Sequence, residues 1–141
     1  MKSTGIALVA QASALCELVD KLIKTSSIAA TRNRSFIINN VPEGLSVTAD
    51  ENILSTIISV LLQYVVNHAR DTCITISAKA YNDVVLMHVK DANGCSNDGI
   101  SYGVQQVQHL ARKMGGFLDV TSYRRRETTI AFTFPNLKAA A

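Results

Sequence analysis

The sequence predicts a single α/β domain, a two-layer sandwich in which a mixed β-sheet carries three helices on one face. Three observations carry that prediction. Helical and strand periodicities alternate along the chain instead of falling into separate blocks. Two pairs of strand segments are joined by short turns, and such hairpins make antiparallel neighbours, which excludes a doubly wound parallel sheet. One helical segment is apolar nearly all round, so it belongs at the centre of its layer.

Residues 5–10 (Gly-Ile-Ala-Leu-Val-Ala) read as a short strand. Leu15, Leu18, Val19, Leu22 and Ile23 recur at helical spacing within residues 13–30, with Ser13 as the N-cap. Polar residues 31–35 end that helix, and Phe36, Ile37 and Ile38 open a strand. Val41-Pro42-Glu43-Gly44 is a turn and residues 45–47 are extended. Thr48-Ala49-Asp50-Glu51 matches a capping box, and Asp50 is itself an N-cap candidate. The helix that follows runs to about Arg70. Its predicted buried stripe is Ile53, Leu54, Ile57, Ile58, Leu61, Tyr64, Val65 and His68, broadened by Val60, Leu62 and Val66.

Two strands follow. In one, Ile74, Ile76, Ala78 and Ala80 alternate with polar residues; Asn82-Asp83 turns the chain; in the other, Val85, Met87 and Val89 share a face. A third helix is predicted over 101–114, with Val104, Val107, Leu110, Ala111 and Met114 inward and Gly115-Gly116 as its stop. A last hairpin joins 117–123 to 128–134, and Pro135 ends it.

The 141 residues suffice for one domain with its own core, and a hydrophobic content of 48% excludes disorder. The net charge of +3 is modest. Its one basic run, Arg124 to Arg126 beside Glu127, reads as a solvated hairpin tip. A nucleic-acid footprint requires more Lys and Arg on one face with aromatics between them. Three cysteines at wide spacing (Cys16, Cys73, Cys95) form neither a zinc pattern nor a disulfide framework. No signal peptide and no bilayer-length apolar run is present, so no membrane insertion is expected and the cytoplasm is the expected location. Ala139, Ala140 and Ala141 read as a cloning scar, which would make this domain part of a larger protein.

Strand parity gives the clearest chemical lead. Asp91 shares the face of Val85, Met87 and Val89, and Thr128 shares that of Ile130, Phe132 and Phe134. A carboxylate and a hydroxyl at strand ends, both aimed at an apolar layer, need polar partners. One reading is a pocket that hydrogen-bonds a ligand. The other is that Asp91 caps the turn through Asn93 and Gly94.

Four segments in order carry a family resemblance. These are 41–50 leading into the central helix, Val89-Lys90-Asp91-Ala92-Asn93-Gly94, then Ser101-Tyr102-Gly103-Val104 with the helix closing on Gly115-Gly116, and finally 128–135. They resemble the lead-in to the central helix, the two glycine boxes and the last strand of the ATP-binding catalytic domain of histidine kinases. That is the Bergerat-type fold shared with gyrase B and MutL. The resemblance implies that Asp91 binds the adenine amino group with help from Thr128, the pair that parity selects independently. It places Asn93, Gly94 and Gly103 in the loops that approach the nucleotide. Asn67 falls where a basic residue often meets phosphate. His68 falls where an aromatic often stacks on adenine, or is an ordinary core histidine.

The same resemblance exposes losses. Tyr64 stands where the family carries its magnesium-ligating Asn, and Tyr is a poor ligand for Mg²⁺, which favours small hard oxygens in tight octahedral geometry. Asn93, Cys95 and Ser101 replace glycines, and the segment between Cys95 and Ser101 is far shorter than the family's lid. His68, His88 and His109 all lie on elements of the ATPase-like part, and no helical hairpin precedes it to present a phospho-accepting histidine. The expectation is a diverged histidine-kinase-type domain in bacterial signalling. It would bind ATP or ADP weakly, with adenine preferred and little help from Mg²⁺, and turn over little or no ATP. Two alternatives stand beside it: a working kinase domain with unorthodox magnesium ligation, and a nucleotide-independent scaffold for a response-regulator-like partner. Tyr64 is further expected to plug the phosphate end of the site.

Overall fold

The computed structural model describes residues 10–93, 98–123 and 127–137. The elements in chain order are β1 (Ala10–Ala14), α1 (Leu15–Arg32), β2 (Phe36–Asn39), β3 (Ser46–Asp50), α2 (Glu51–His68), β4 (Cys73–Tyr81), β5 (Val84–Asp91), α3 (Asp98–Lys113), β6 (Phe117–Tyr123) and β7 (Glu127–Pro135). The main sheet has the order β2-β4-β5-β7-β6, with β2 parallel to β4 and every other pair antiparallel. A second, two-stranded sheet pairs β1 with β3. This is the predicted sandwich: α1, α2 and α3 lie side by side on one face of a mixed sheet, with α2 in the middle.

Each strand of the main sheet turns alternate residues to the helices. Ile74, Ile76 and Ala78 of β4 are buried, as are Val85, Met87 and Val89 of β5 and Ile130, Phe132 and Phe134 of β7. Helix α2 closes the layer with Leu54, Ile57, Ile58, Leu61, Leu62, Val65 and Val66. Its start is the predicted cap: Asp50 accepts a hydrogen bond from the Ile53 amide at 3.0 Å. Helix α3 ends as the double glycine requires. The amide of Gly116 bonds the Ala111 carbonyl and that of Gly115 the Arg112 carbonyl, a Schellman closure with Gly115 at φ 84°.

The N-terminal expectations need correction. The described strand is Ala10–Ala14; the strand expected over residues 5–10 lies outside the described residues except for Ala10. Ser13 does not cap α1. It sits in β1 opposite Val47, and Ala14 occupies the cap position with no side-chain bond. Pairing with β3 supplies the backbone partners, which overrides a local capping preference. The predicted inward position of His68 also fails. His68 is exposed: it is the last residue of α2, and the chain leaves the helix at Ala69, which takes the buried position instead. Ala80, expected to alternate inward, is likewise exposed near the β4–β5 turn. Among the described residues no helix is long and apolar enough to cross a membrane.

Candidate functional site

The inward polar pair predicted from parity is real, and the sheet register brings it together. Asp91 ends β5 between Ile74 of β4 and Thr128 of β7, each its direct cross-strand partner. Both polar residues are buried, with 1% of Asp91 and 2% of Thr128 exposed. A carboxylate this deep must be hydrogen-bonded or matched by a ligand.

Its two oxygens are used unequally. Oδ1 accepts from the Thr72 hydroxyl at 2.8 Å and from the Asn93 amide at 3.0 Å. Oδ2 is buried and has no hydrogen-bond partner among the described residues. The turn contact expected of Asp91 is made by Oδ1, through the Asn93 amide. Oδ1 caps the turn, while Oδ2 is an acceptor with no donor among the described residues. Leaving a buried acceptor unmatched costs about 1–3 kcal/mol, and more for a charged group, so such an atom marks a place where a donor from a ligand fits.

Thr72 was not among the residues the sequence singled out, though a signal existed. Extending the alternation of Ile74, Ile76 and Ala78 back one step lands on Thr72, which is buried. Behind it lies a polar corner. The Thr72 amide donates to Ser35 Oγ at 3.3 Å, and the Ser35 hydroxyl donates to the Asn33 carbonyl at 3.3 Å. Asn33 Nδ2 in turn donates to the Val66 carbonyl at 2.8 Å, an acceptor in the last turn of α2 that the Ala69 amide also reaches. Arg34 and Asp71 immediately precede Ser35 and Thr72. Both have left-handed backbones, with φ of 56° and 52°, and their side chains form a salt bridge in solvent. That hydrogen bond from Arg34 holds the Asp71 carboxyl below its ordinary pKa.

Tyr64, the other position the resemblance singles out, packs against α3. Tyr64 is half-buried on the α3 side of α2, with its ring centroid 6.2 Å from that of Tyr102. Gly103 is buried beneath it. A methyl group at Gly103 would stand 2.5 Å from Tyr64 Cγ and 2.6 Å from Cδ2. Gly103 is thus a helical residue whose missing side chain makes room for the Tyr64 ring.

The remaining predicted residues scatter. Asn93 is exposed and contributes its backbone amide to Asp91. Gly94 lies outside the described residues. Asn67 is exposed and faces α1, lining an open groove of about 320 Å³ with Thr25, Ser26, Ala29, Ser59, Gln63 and Val66. His68 places Nδ1 2.7 Å from the Tyr64 carbonyl, one turn back on its own helix. Of the predicted residues, Asp91 and Thr128 are adjacent and buried, while Tyr64 packs against Gly103.

No family model matches the chain, and no curated protein matches it in sequence. Solved structures do match. The full-length histidine kinase ShkA in complex with AMPPNP aligns over 99% of this chain with a TM-score of 0.81 and 21% identity, this chain spanning 34% of that one. The Acinetobacter baumannii histidine kinase AdeS aligns over 94% of this chain and 70% of its own, with a TM-score of 0.78 and 11% identity. The nucleotide-free catalytic domain of the histidine kinase ThkA aligns over 92% and 97%, with a TM-score of 0.74 and 14% identity. With the sheet order, the three helices and the placement of Asp91, these matches establish that the chain has the fold of the histidine kinase catalytic domains.

Proposed function

We propose that this chain is a diverged histidine-kinase-type nucleotide-binding domain in signalling, one that keeps the adenine end of its site and has lost the phosphate and magnesium end. The observation that carries the reading is the buried, unmatched Oδ2 of Asp91 beside Thr128. A carboxylate oxygen accepts from the exocyclic amine of adenine but not from the carbonyl that hypoxanthine or guanine presents there, so the site favours adenine. The Tyr64 ring over Gly103 supports the second half, because an aromatic packed between α2 and α3 offers neither a hard oxygen ligand nor room for a triphosphate. ATP turnover is accordingly weak or absent. Phosphoryl transfer rests on placing and neutralising the phosphates. The unmatched oxygen weighs against a purely nucleotide-independent scaffold. The Tyr64–Gly103 packing weighs against a working kinase. A response-regulator-like partner fits the signalling role suggested by the histidine kinases that share the fold.

The test is calorimetric titration with ADP and ATP, with and without Mg²⁺, on the parent and on Asp91→Asn. Weak adenine-nucleotide binding, little changed by Mg²⁺, is expected. Asp91→Asn keeps an acceptor toward Thr72 and turns a donor toward the ligand, so affinity falls by about ten-fold or more. Low-micromolar ATP binding that depends on Mg²⁺ would establish the working-kinase alternative instead. An unchanged affinity in Asp91→Asn would reduce Asp91 to a turn cap.

A further inference from the structure

We infer that Thr72, held by the Ser35 corner, is the positioning residue that gives the site its selectivity for an amino group over a carbonyl; this rests on the adenine-site reading above. Asp91 can read a ligand amine only if one oxygen is presented to it and the carboxylate does not turn. The structure shows how that is arranged. The Thr72 hydroxyl and the Asn93 amide both donate to Oδ1, at 2.8 and 3.0 Å. Oδ1 is thereby saturated, and Oδ2 alone is left to meet a donor.

A threonine holds this role only if its own backbone is fixed, and the corner does that. Thr72 precedes β4, where strand pairing has barely begun. The Phe36 amide donates to the Thr72 carbonyl at 3.1 Å, and the Thr72 amide donates to Ser35 Oγ at 3.3 Å, so both backbone groups are engaged by the start of β2 and the residue before it. Asp71 and Arg34, adjacent in the chain, join the same two segments, and the Asp71 amide donates to the Asn33 carbonyl at 3.1 Å. Non-glycine residues with positive φ are uncommon, and two of them here turn β2 and β4 into register at this point. Ser35 and Thr72 are both buried, so no water competes freely for these bonds. Neither residue is in the segments that carry the family resemblance.

Removing the Thr72 hydroxyl frees the carboxylate to rotate, so that either oxygen faces the ligand or the turn. The loss falls on the ligand that donates there. ADP and IDP differ at this position, the first presenting an amine and the second a carbonyl, and their affinity ratio isolates the effect. Binding of both is measured by calorimetry on the intact chain for the parent, Thr72→Val, Thr72→Ser and Ser35→Ala, with folding checked by circular dichroism. Thr72→Val should lower the ADP-to-IDP preference by about ten-fold. Thr72→Ser, which keeps the donor, should hold it near the parent value. Ser35→Ala should lower it in the same direction by less, and it carries the test if Thr72→Val does not fold. Equal weakening of ADP and IDP in these variants would show a merely structural role and overturn the inference while leaving the adenine site standing. A parent that binds neither nucleotide would overturn the adenine-site reading and this inference with it.

Discussion

Gly103→Ala should destabilise the protein in the parent background and stabilise it once Tyr64 is removed. Alanine is ordinarily the better helix residue by about 0.5–1 kcal/mol. Inside α3, however, the new methyl would meet Tyr64 at 2.5 Å from Cγ, 2.6 Å from Cδ2 and 3.0 Å from Cβ. These atoms are the root of the side chain, so rotation of the ring cannot relieve them all. Either α2 and α3 move apart or the ring leaves its place. Such overpacking costs about 1–3 kcal/mol, which outweighs the helical gain and leaves a net loss of roughly 1–2 kcal/mol. In Tyr64→Ala the obstruction is gone, and the same substitution gains about 0.5–1 kcal/mol. The implied coupling of roughly 2 kcal/mol lies in the range for residues in direct contact. Urea unfolding followed by circular dichroism on the four proteins of the cycle measures it. A higher midpoint for Gly103→Ala in the parent, or an effect of the same sign in both backgrounds, would refute the packing argument and with it the claim that Tyr64 fills this end of the site.

Tyr64→Asn should remove about half the burial of a ring of roughly 200 Å², worth about 2.5 kcal/mol, and lower the thermal midpoint by about 5–10 °C. The same variant should gain some Mg²⁺-dependent ATP affinity over the parent by calorimetry, and an unchanged midpoint would show that the ring fills nothing. At the corner, the Asp71 carboxyl should titrate below its ordinary value by NMR, because Arg34 hydrogen-bonds its charged form. Since the folded pKa is the depressed one, the pair's contribution is present above the unfolded pKa and fades as pH falls through the folded value. Arg34→Gln should return the titration toward normal, and an Asp71 midpoint that does not move would show that the bond is not formed in solution.

Much of the architecture was legible in local pattern. Alternation along 74–78 and 85–91 placed the inward faces, the apolar run from Ile53 to Val66 marked the central helix, and Asp50 and Gly115-Gly116 marked where helices begin and end. Parity alone aimed Asp91 and Thr128 at the core. These are short-range properties, set by the period of the backbone and by the dihedral preferences of single residues. Local pattern misled where distant partners decided the outcome. Ser13 looked like a cap but is taken into β1 by pairing with β3, more than thirty residues on. His68 matched the helical stripe but is exposed at the last position of α2, where the chain leaves the helix and Ala69 is the buried residue.

The site itself belongs to the tertiary level. Alternation says that Asp91 points inward; only the register of β5 against β7 sets it opposite Thr128, and only the parallel docking of β2 beside β4 builds the corner that fixes Thr72. Which oxygen of a carboxylate is satisfied depends on atoms 19 residues away in sequence, beyond the reach of any periodicity. The same holds for Tyr64. Its position on α2 is a matter of helical spacing, but its resting place is the gap left by a glycine on another helix, and that contact exists because two helices pack at one distance and not another.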